Sequence, residues 1–202
     1  MSLNIELIRQ SFAKAAPISD QVADKFYEHL FRDYPEVKVL FDEKRMPGQK
    51  KALMKSLSYI VDNFDNPDKL HEYLREMGKR HVKYGTIEEH YPAVGNSLIK
   101  TLAHFFGDEW TPELEEEWGK AYNAIVTLML EGASYVEPTE DVIRKRARLH
   151  ANNLLLNSLE EELGSDILHE KIRSRLRKVI FEVLEEEYEN ILGSKKGGRN
   201  AA

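Results

Sequence analysis

The sequence predicts an all-α protein. Over the first 135 residues, apolar side chains recur at spacings of three and four, which is the period of a helix with one face turned inward. No segment in that stretch alternates polar and apolar residues as a strand does, and no Asn-Gly or Asp-Gly pair signals a hairpin. We therefore expect about six to eight helices of unequal length before residue 135.

Capping residues, prolines and glycines set the boundaries of these helices. Ser19 or Asp20 is expected to cap the second helix, Gln49 to begin the third and Thr111 to cap the sixth. Gly85 is expected to end the fourth helix, since glycine is the usual C-terminal stop. The predicted helices cover approximately residues 3–15, 20–33, 49–62, 70–84, 89–106, 112–132, 139–163 and 166–192.

Composition excludes several functional classes. The chain has 202 residues, no cysteine and a net charge of −6. The lack of cysteine excludes a disulfide framework, a thiolate metal site and a cysteine nucleophile. The negative charge argues against nucleic acid or an anionic membrane as a partner. No stretch approaches the roughly 18 apolar residues of a membrane span, and the N-terminus lacks a signal-peptide pattern, so we expect a cytoplasmic protein.

The predicted helix over 70–84 contains a histidine on its inward face. The apolar stripe runs through Leu70, Leu74 and Met77, and His81 continues it. A buried imidazole needs a polar partner, because burial without one costs free energy. That partner can be a backbone carbonyl, a carboxylate or a metal ion, and spacing alone favours an ordinary core histidine. His71 also falls near the inward face, so spacing does not distinguish it from His81.

Two further polar residues on inward faces leave alternatives open. Gln49 stands one turn before Leu53, at the head of the inner stripe of the third helix. Such a residue is either half-exposed or directed into a pocket, and spacing alone favours the half-exposed interpretation. Tyr27 lies on the inner face of the second helix, where it can also be an ordinary core tyrosine.

Five segments resemble bacterial single-domain haemoglobins and the globin domain of flavohaemoglobins. They occur in order and at compatible spacings: FYEHLFRDYPEVKVLF, GQKKAL, GKRHVKYG, EEHYPAVGNSLIKTL and EEWGKAYNAIV. The resemblance covers roughly residues 3–133. It implies a globin fold, in which helices pack around haem b (iron protoporphyrin IX), followed by a C-terminal helical extension.

The resemblance implies roles for individual residues. His81 matches the proximal histidine that ligates haem iron, and Phe41 matches the aromatic residue that stacks on the haem. Tyr27 matches the distal tyrosine, and Gln49 matches the distal residue that faces the sixth iron position. Iron also needs an apolar slot around the macrocycle. The expected haem-binding residues are therefore His81 as the metal ligand, with Phe41, Tyr27, Gln49, Leu53, Met77, Val82, Val94 and Leu98.

The implied ligands are O₂, NO and CO. Bound O₂ carries partial negative charge, and Tyr27 and Gln49 can both donate hydrogen bonds to it. A second donor is expected to raise O₂ affinity by about 1–2 kcal/mol. The implied roles are oxygen transport and handling, or NO detoxification by an NO dioxygenase-type reaction that uses an external reductase.

The sequence departs from flavohaemoglobins in two respects. Those proteins support the proximal histidine with a glutamate late in the last globin helix, but that position falls at Ala133 here, and Glu131 lies two residues earlier. Nothing after Pro138 resembles a flavin or nicotinamide module, and no GxGxxG motif is present. Ligand binding is therefore better supported than self-contained NO dioxygenation.

The predicted organisation is a globin domain over 1–136, a helical extension over 137–192 and a disordered tail over 193–202. The span 139–192 has nine Lys and Arg against twelve Asp and Glu, so its basic runs are interpreted as solvated faces rather than a nucleic-acid arm. Two helices bury little apolar surface alone, so we expect a homodimerisation or output element. Two alternatives stay open: a haem-based gas or redox sensor that signals through the extension, and a helical scaffold without haem.

Overall fold

The computed structural model describes residues 3–163 and, beyond them, the single positions 172, 176, 179, 180 and 183. The described part of the chain is helical and contains no strand, so the all-α prediction is confirmed. Its α-helices are α1 (Ile5–Ala15), α2 (Ser19–Asp33), α3 (Met46–Asp62), α4 (Pro67–Tyr84), α5 (Tyr91–Phe106), α6 (Pro112–Ala133) and α7 (Glu140–Leu163). Short 3₁₀ turns lie between them, at Ala16–Ile18, Pro35–Leu40, Glu43–Arg45, Glu88–His90 and Gly107–Glu109.

Side-chain caps and glycine stops fix the helices near the centre of the fold. The Asn66 side chain accepts a hydrogen bond from the Lys69 amide at the start of α4. Gly85 ends α4 with φ of 89°, a left-handed conformation that glycine adopts without strain. The Thr111 hydroxyl caps α6 by accepting from the Leu114 amide. The predictions for Gly85 and Thr111 are confirmed.

Two predicted helix starts were wrong. Neither Ser19 nor Asp20 caps α2, because the preceding 3₁₀ turn runs directly into the helix and Ser19 is already its first residue. The third helix begins at Met46 rather than at Gln49. Pro47 lies in its first turn, where the missing amide hydrogen is not needed, so the helix starts before the glutamine.

The helices pack around two clusters of buried apolar residues. In the larger cluster, α2 packs against α3 and α5, and α1 packs against α3 and α6. The smaller cluster comprises Ile60, Leu70, Leu74, Tyr91 and Met129, and it lies where α4 packs against α6. Leu30 in the larger cluster and Leu74 in the smaller one are completely buried.

The chain divides into two compact units, Met1–Val142 and Ile143–Ala202. The predicted helix over 139–163 is observed as α7. The predicted helix over 166–192 and the predicted tail over 193–202 lie outside the described residues, apart from the five single positions named above, which are helical. None of the helices in the described ranges is long and apolar enough to cross a membrane.

Candidate functional site

A cavity lies within the first unit and draws its walls from both apolar clusters. Helices α2 to α6 all contribute to its wall. Eight of the nine predicted haem-binding residues line it: Tyr27, Phe41, Gln49, Leu53, Met77, His81, Val94 and Leu98.

The His81 ring is fixed by its own helix. Its Nδ1 atom lies 2.8 Å from the carbonyl oxygen of Met77, one turn earlier in α4. Because a carbonyl oxygen only accepts, Nδ1 carries the proton and Nε2 keeps its lone pair. Of the three partners that the sequence left open, the backbone carbonyl is the one observed. Burial lowers the pKa of His81 below its usual value, which favours the neutral imidazole that a metal requires.

Two tyrosines surround this imidazole. The Tyr91 ring is stacked beside His81 at a centroid distance of 6.4 Å, and the Tyr84 ring meets it at 5.7 Å with its edge. The Tyr122 hydroxyl donates to the Tyr91 carbonyl over 2.7 Å, and burial raises the pKa of Tyr122 above its usual value. Helices α5 and α6 are thereby joined on the side of the cavity where His81 lies.

Glu131 does not take the place of the glutamate that supports the proximal histidine in flavohaemoglobins. Its two carboxylate oxygens lie 2.9 and 3.1 Å from Nη2 of Arg75. The His81 proton that such a glutamate would accept is donated to the Met77 carbonyl instead. The departure that the sequence indicated is therefore also present in the structure.

Tyr27 and Gln49 meet in the same cavity. Tyr27 is 4% exposed, and burial raises the pKa of its hydroxyl to about 12, while the neighbouring Gln49 side chain partly offsets that effect. The hydroxyl therefore stays protonated, as a hydrogen-bond donor must. Gln49 lies in the first turn of α3 and is exposed to solvent although it also lines the cavity. Gln49 is therefore exposed, in the sense of the first interpretation, and also borders a pocket, in the sense of the second.

Aromatic side chains close the cavity near Tyr27. The Phe41 ring meets the Tyr27 ring edge-on at 5.6 Å and the Phe31 ring at 5.3 Å. Phe41 directly follows the 3₁₀ turn Pro35–Leu40, whose Val37 and Leu40 also line the wall. This 3₁₀ turn and the residue after it therefore supply part of the pocket.

Sequence analysis predicted one wall residue wrongly and missed several others. Val82 was expected in the wall, but it is buried without lining the cavity, because it lies about 100° around α4 from His81. Thr86 and His90 do line it, and they come from the irregular segment after Gly85, where periodicity gives no signal. The apolar stripes of α3 and α6 contained enough information to find others, namely Leu57, Ile60, Ile125 and Met129.

These residues fit a haem. The cavity wall is mainly apolar, as a macrocycle requires, and it contains one imidazole whose Nε2 lone pair is available. His81 would ligate the iron, while Phe41, Leu53, Val94 and Leu98 would contact the macrocycle.

Comparison with known proteins places the chain in a family. The family model described as Globin matches residues 24–129, which is more than half of the chain. The chain belongs to the globin family. The predicted globin fold is therefore confirmed.

The relatives of this globin include longer proteins. A flavohaemoprotein from Rhodopirellula baltica is 31% identical over 137 residues, which are 66% of this chain and 34% of that protein. A bacterial globin structure from Campylobacter jejuni is 26% identical with a TM-score of 0.54, over 63% of this chain and 94% of that one.

A flavohaemoglobin structure from Malassezia yamatoensis, which has bound FAD and haem, is 19% identical with a TM-score of 0.55. The match covers 65% of this chain and 36% of the flavohaemoglobin chain. At this identity the match supports the fold alone. The chain spans about a third of the length of the curated relatives that it matches.

Proposed function

We propose that this globin binds haem b through His81 and reversibly binds O₂, NO and CO at the iron. The observation that carries the proposal is the His81 imidazole, whose Nδ1 proton is donated to the Met77 carbonyl while the ring faces a cavity lined mainly by apolar side chains. The family membership of the chain supports the same conclusion. Bound haem would supply the iron at which a diatomic ligand binds.

The residues of the chain would orient the iron ligand, exclude water and donate hydrogen bonds. The Met77 carbonyl orients the His81 ring and keeps its Nε2 free to ligate. Phe41, Leu53 and Leu98 exclude water from the macrocycle. Tyr27 would provide a protonated donor for bound O₂, and the Gln49 side chain lies close enough to lower the pKa of that hydroxyl. Glutamine is a poor iron ligand, so Gln49 would not compete with O₂ for bound iron.

The biological role that we propose is oxygen handling, or NO detoxification with a separate reductase. Its support is the similarity to flavohaemoproteins, which this chain matches over about a third of their length. An NO dioxygenase reaction needs a source of electrons, and we propose that a separate reductase supplies them. Turnover of NO by the haem-loaded chain with and without added reductase measures that dependence.

An absorption spectrum tests haem binding. We expect the purified chain to develop a Soret band when haem is added, and His81→Ala to abolish tight binding. His71→Ala is the matched control, because His71 lies in the same helix and does not line the cavity. A chain without a Soret band would refute the proposal, and retention of haem by His81→Ala would move the ligand elsewhere.

A second proposal is a sensor, in which ligand binding in the globin alters a homodimer formed through the C-terminal helices. Its support is the apolar surface of α7, where Ile143 and Leu154 are 53% and 56% exposed. Exposed apolar side chains of this size commonly mark an interaction surface. Sedimentation of the full chain and of a chain ended after Pro138, each with and without CO, tests it. A full chain that is monomeric in both states would exclude the dimer.

A further inference from the structure

The crossing of α4 and α6 leaves no room for a side chain at two glycines. A Cβ atom on Gly78 would lie 1.8 Å from the carbonyl oxygen of Met129 and 2.9 Å from its Cα. A Cβ atom on Gly132 would lie 2.1 Å from the carbonyl oxygen of Arg75 and 2.5 Å from its Cα. Both obstacles are backbone atoms, so no side chain can rotate away to make space.

The two contacts are reciprocal. Gly78 of α4 faces the backbone of α6 at Met129, and Gly132 of α6 faces the backbone of α4 at Arg75. The residues within each helix are three positions apart, so the contact extends over about one turn. Their order is opposite in the two helices, which therefore run antiparallel. Two contacts one turn apart fix both the separation of the helices and their register.

An ion pair lies beside the same turn. Nη2 of Arg75 contacts both carboxylate oxygens of Glu131, and the two side chains are each about two-fifths exposed. Exposed pairs of this kind contribute little to stability. The pair therefore only slightly reinforces the relative position of α4 and α6, which the two glycines already fix.

The turn of α4 that contacts α6 is also the turn that orients His81. Met77, whose carbonyl oxygen accepts the His81 proton, directly precedes Gly78. His81 follows Gly78 by three residues, which is less than one turn. A change in the distance between the backbones at Gly78 would move the Met77 carbonyl and the His81 ring together.

We propose that Gly78 and Gly132 are positioning residues, which set the location of the His81 Nε2 atom through the backbone contact between α4 and the end of α6. The proposal rests on the proposed function, in which His81 ligates haem iron. The competing explanation is that the two glycines serve only close packing and stability.

The iron–histidine stretching band in the resonance Raman spectrum distinguishes these explanations. It is recorded on the full haem-loaded chain in the ferrous, ligand-free state, for Gly78→Ala and Gly132→Ala. Gly119→Ala is the matched control, because Gly119 also lies in α6 and a Cβ atom there meets nothing within 4 Å. We expect both crossing variants to shift the band and the control to leave it unchanged. A normal Soret band with an unshifted stretching band in both crossing variants would overturn the proposal.

An untethered ligand provides a second measurement. In His81→Gly, added imidazole replaces the missing side chain without a link to α4. Adding Gly78→Ala to that variant should then leave the iron–imidazole band unchanged. A shift that persists would mean that Gly78 acts through the shape of the cavity, which contradicts a role in positioning the histidine.

A variant that does not fold needs a milder substitute. If circular dichroism shows that both alanine variants are unfolded, the band is recorded on Leu74→Ala, which keeps both glycines and removes a buried side chain from the cluster that packs α4 against α6. A shift of the band is expected because the packing of the two helices is loosened, and an unchanged band would refute the proposal. A wild-type chain that binds no haem would refute the proposed function instead, so the two failures are distinguishable.

Discussion

The two sides of the cavity are built in different ways. On the side of His81, backbone meets backbone, since α4 and α6 touch at Gly78 and Gly132. On the side of Tyr27, side chains meet side chains, through the neighbouring Gln49 side chain and the ring contact with Phe41. The histidine side can change only if a helix moves, whereas the tyrosine side can adjust by rotation of single side chains.

This difference separates two properties of the site. The position of the expected iron ligand depends on helix packing, so substitutions there should alter stability and ligation together. The hydrogen bonds expected at bound O₂ depend on two side chains, one buried and one exposed, so substitutions there should alter ligand kinetics more than folding.

Core truncation gives the largest expected effect. Leu74→Ala in α4 and Leu30→Ala in α2 each remove a completely buried side chain; Leu30 lines the cavity, whereas Leu74 belongs to the smaller apolar cluster between α4 and α6. We expect each to lower the free energy of unfolding by about 2–5 kcal/mol, measured by urea unfolding. Only Leu74→Ala should also shift the iron–histidine band, because Leu74 packs in the same cluster as Met129. Equal shifts in both variants would mean that the two sides are not independent.

High pH should destabilise the fold through Tyr27. Its pKa of about 12 in the folded chain lies above the ordinary value of 10.0. The unfolded chain therefore ionises first, so the contribution is intact below pH 10 and is lost as pH rises toward 12. The expected loss is about 2 kcal/mol by pH 12.

Urea unfolding at a series of pH values measures this loss. Tyr27→Phe should show a smaller decline than the wild type between pH 10 and pH 12. Tyr34→Phe serves as the control, because its hydroxyl is bonded to Asn96 at the surface. Parallel declines in the wild type and Tyr27→Phe would contradict the assignment.

Ligand kinetics should respond to the same tyrosine. Tyr27→Phe removes a buried donor, and the loss of about 1–1.4 kcal/mol corresponds to O₂ dissociation that is roughly five to ten times faster. Stopped-flow displacement of O₂ by CO measures the rate. Tyr34→Phe again serves as the control. An unchanged rate in Tyr27→Phe would mean that this hydroxyl does not reach the ligand.

Gln49 should have the smallest effect. It is exposed, so water can replace part of its contribution, and we expect Gln49→Leu to speed O₂ dissociation about two- to threefold. Since the Gln49 side chain lies close enough to Tyr27 to lower the pKa of its hydroxyl, its effect should shrink in the Tyr27→Phe background. Additive effects in this double-mutant cycle would show that the two donors act separately.

Periodicity predicted the helices and their inward faces, and the resemblance to bacterial globins indicated which inward residues line a cavity. The inward stripes located His81, Leu53 and Leu98, and the resemblance to bacterial globins distinguished His81 from His71. Periodicity depends on residues that recur at regular spacing, and the resemblance depends on residues that stand in a recognisable motif. Thr86 escaped prediction because it lies between helices and outside the matching segments. His90 stands within a matching segment but lies in the 3₁₀ turn Glu88–His90, outside any apolar stripe.

The contact between α4 and α6 could not be predicted from the sequence, for a different reason. Gly78 lies between Met77 and His81 of the inward stripe, but a glycine has no side chain whose character indicates what it faces. Its partner is the Met129 carbonyl, a group that every residue has. Close approach of two backbones depends on where helices cross in space, and only the three-dimensional structure contains that information.

The backbone nature of these contacts restricts how the sequence can vary. When two side chains clash, a smaller residue at the second position can restore the fit, so paired changes can accumulate. A Cβ atom at Gly78 meets the peptide of Met129, which is the same whatever side chain stands there. In a genetic screen, Gly78 and Gly132 should therefore yield no local suppressors, whereas Gly119 should accept alanine directly.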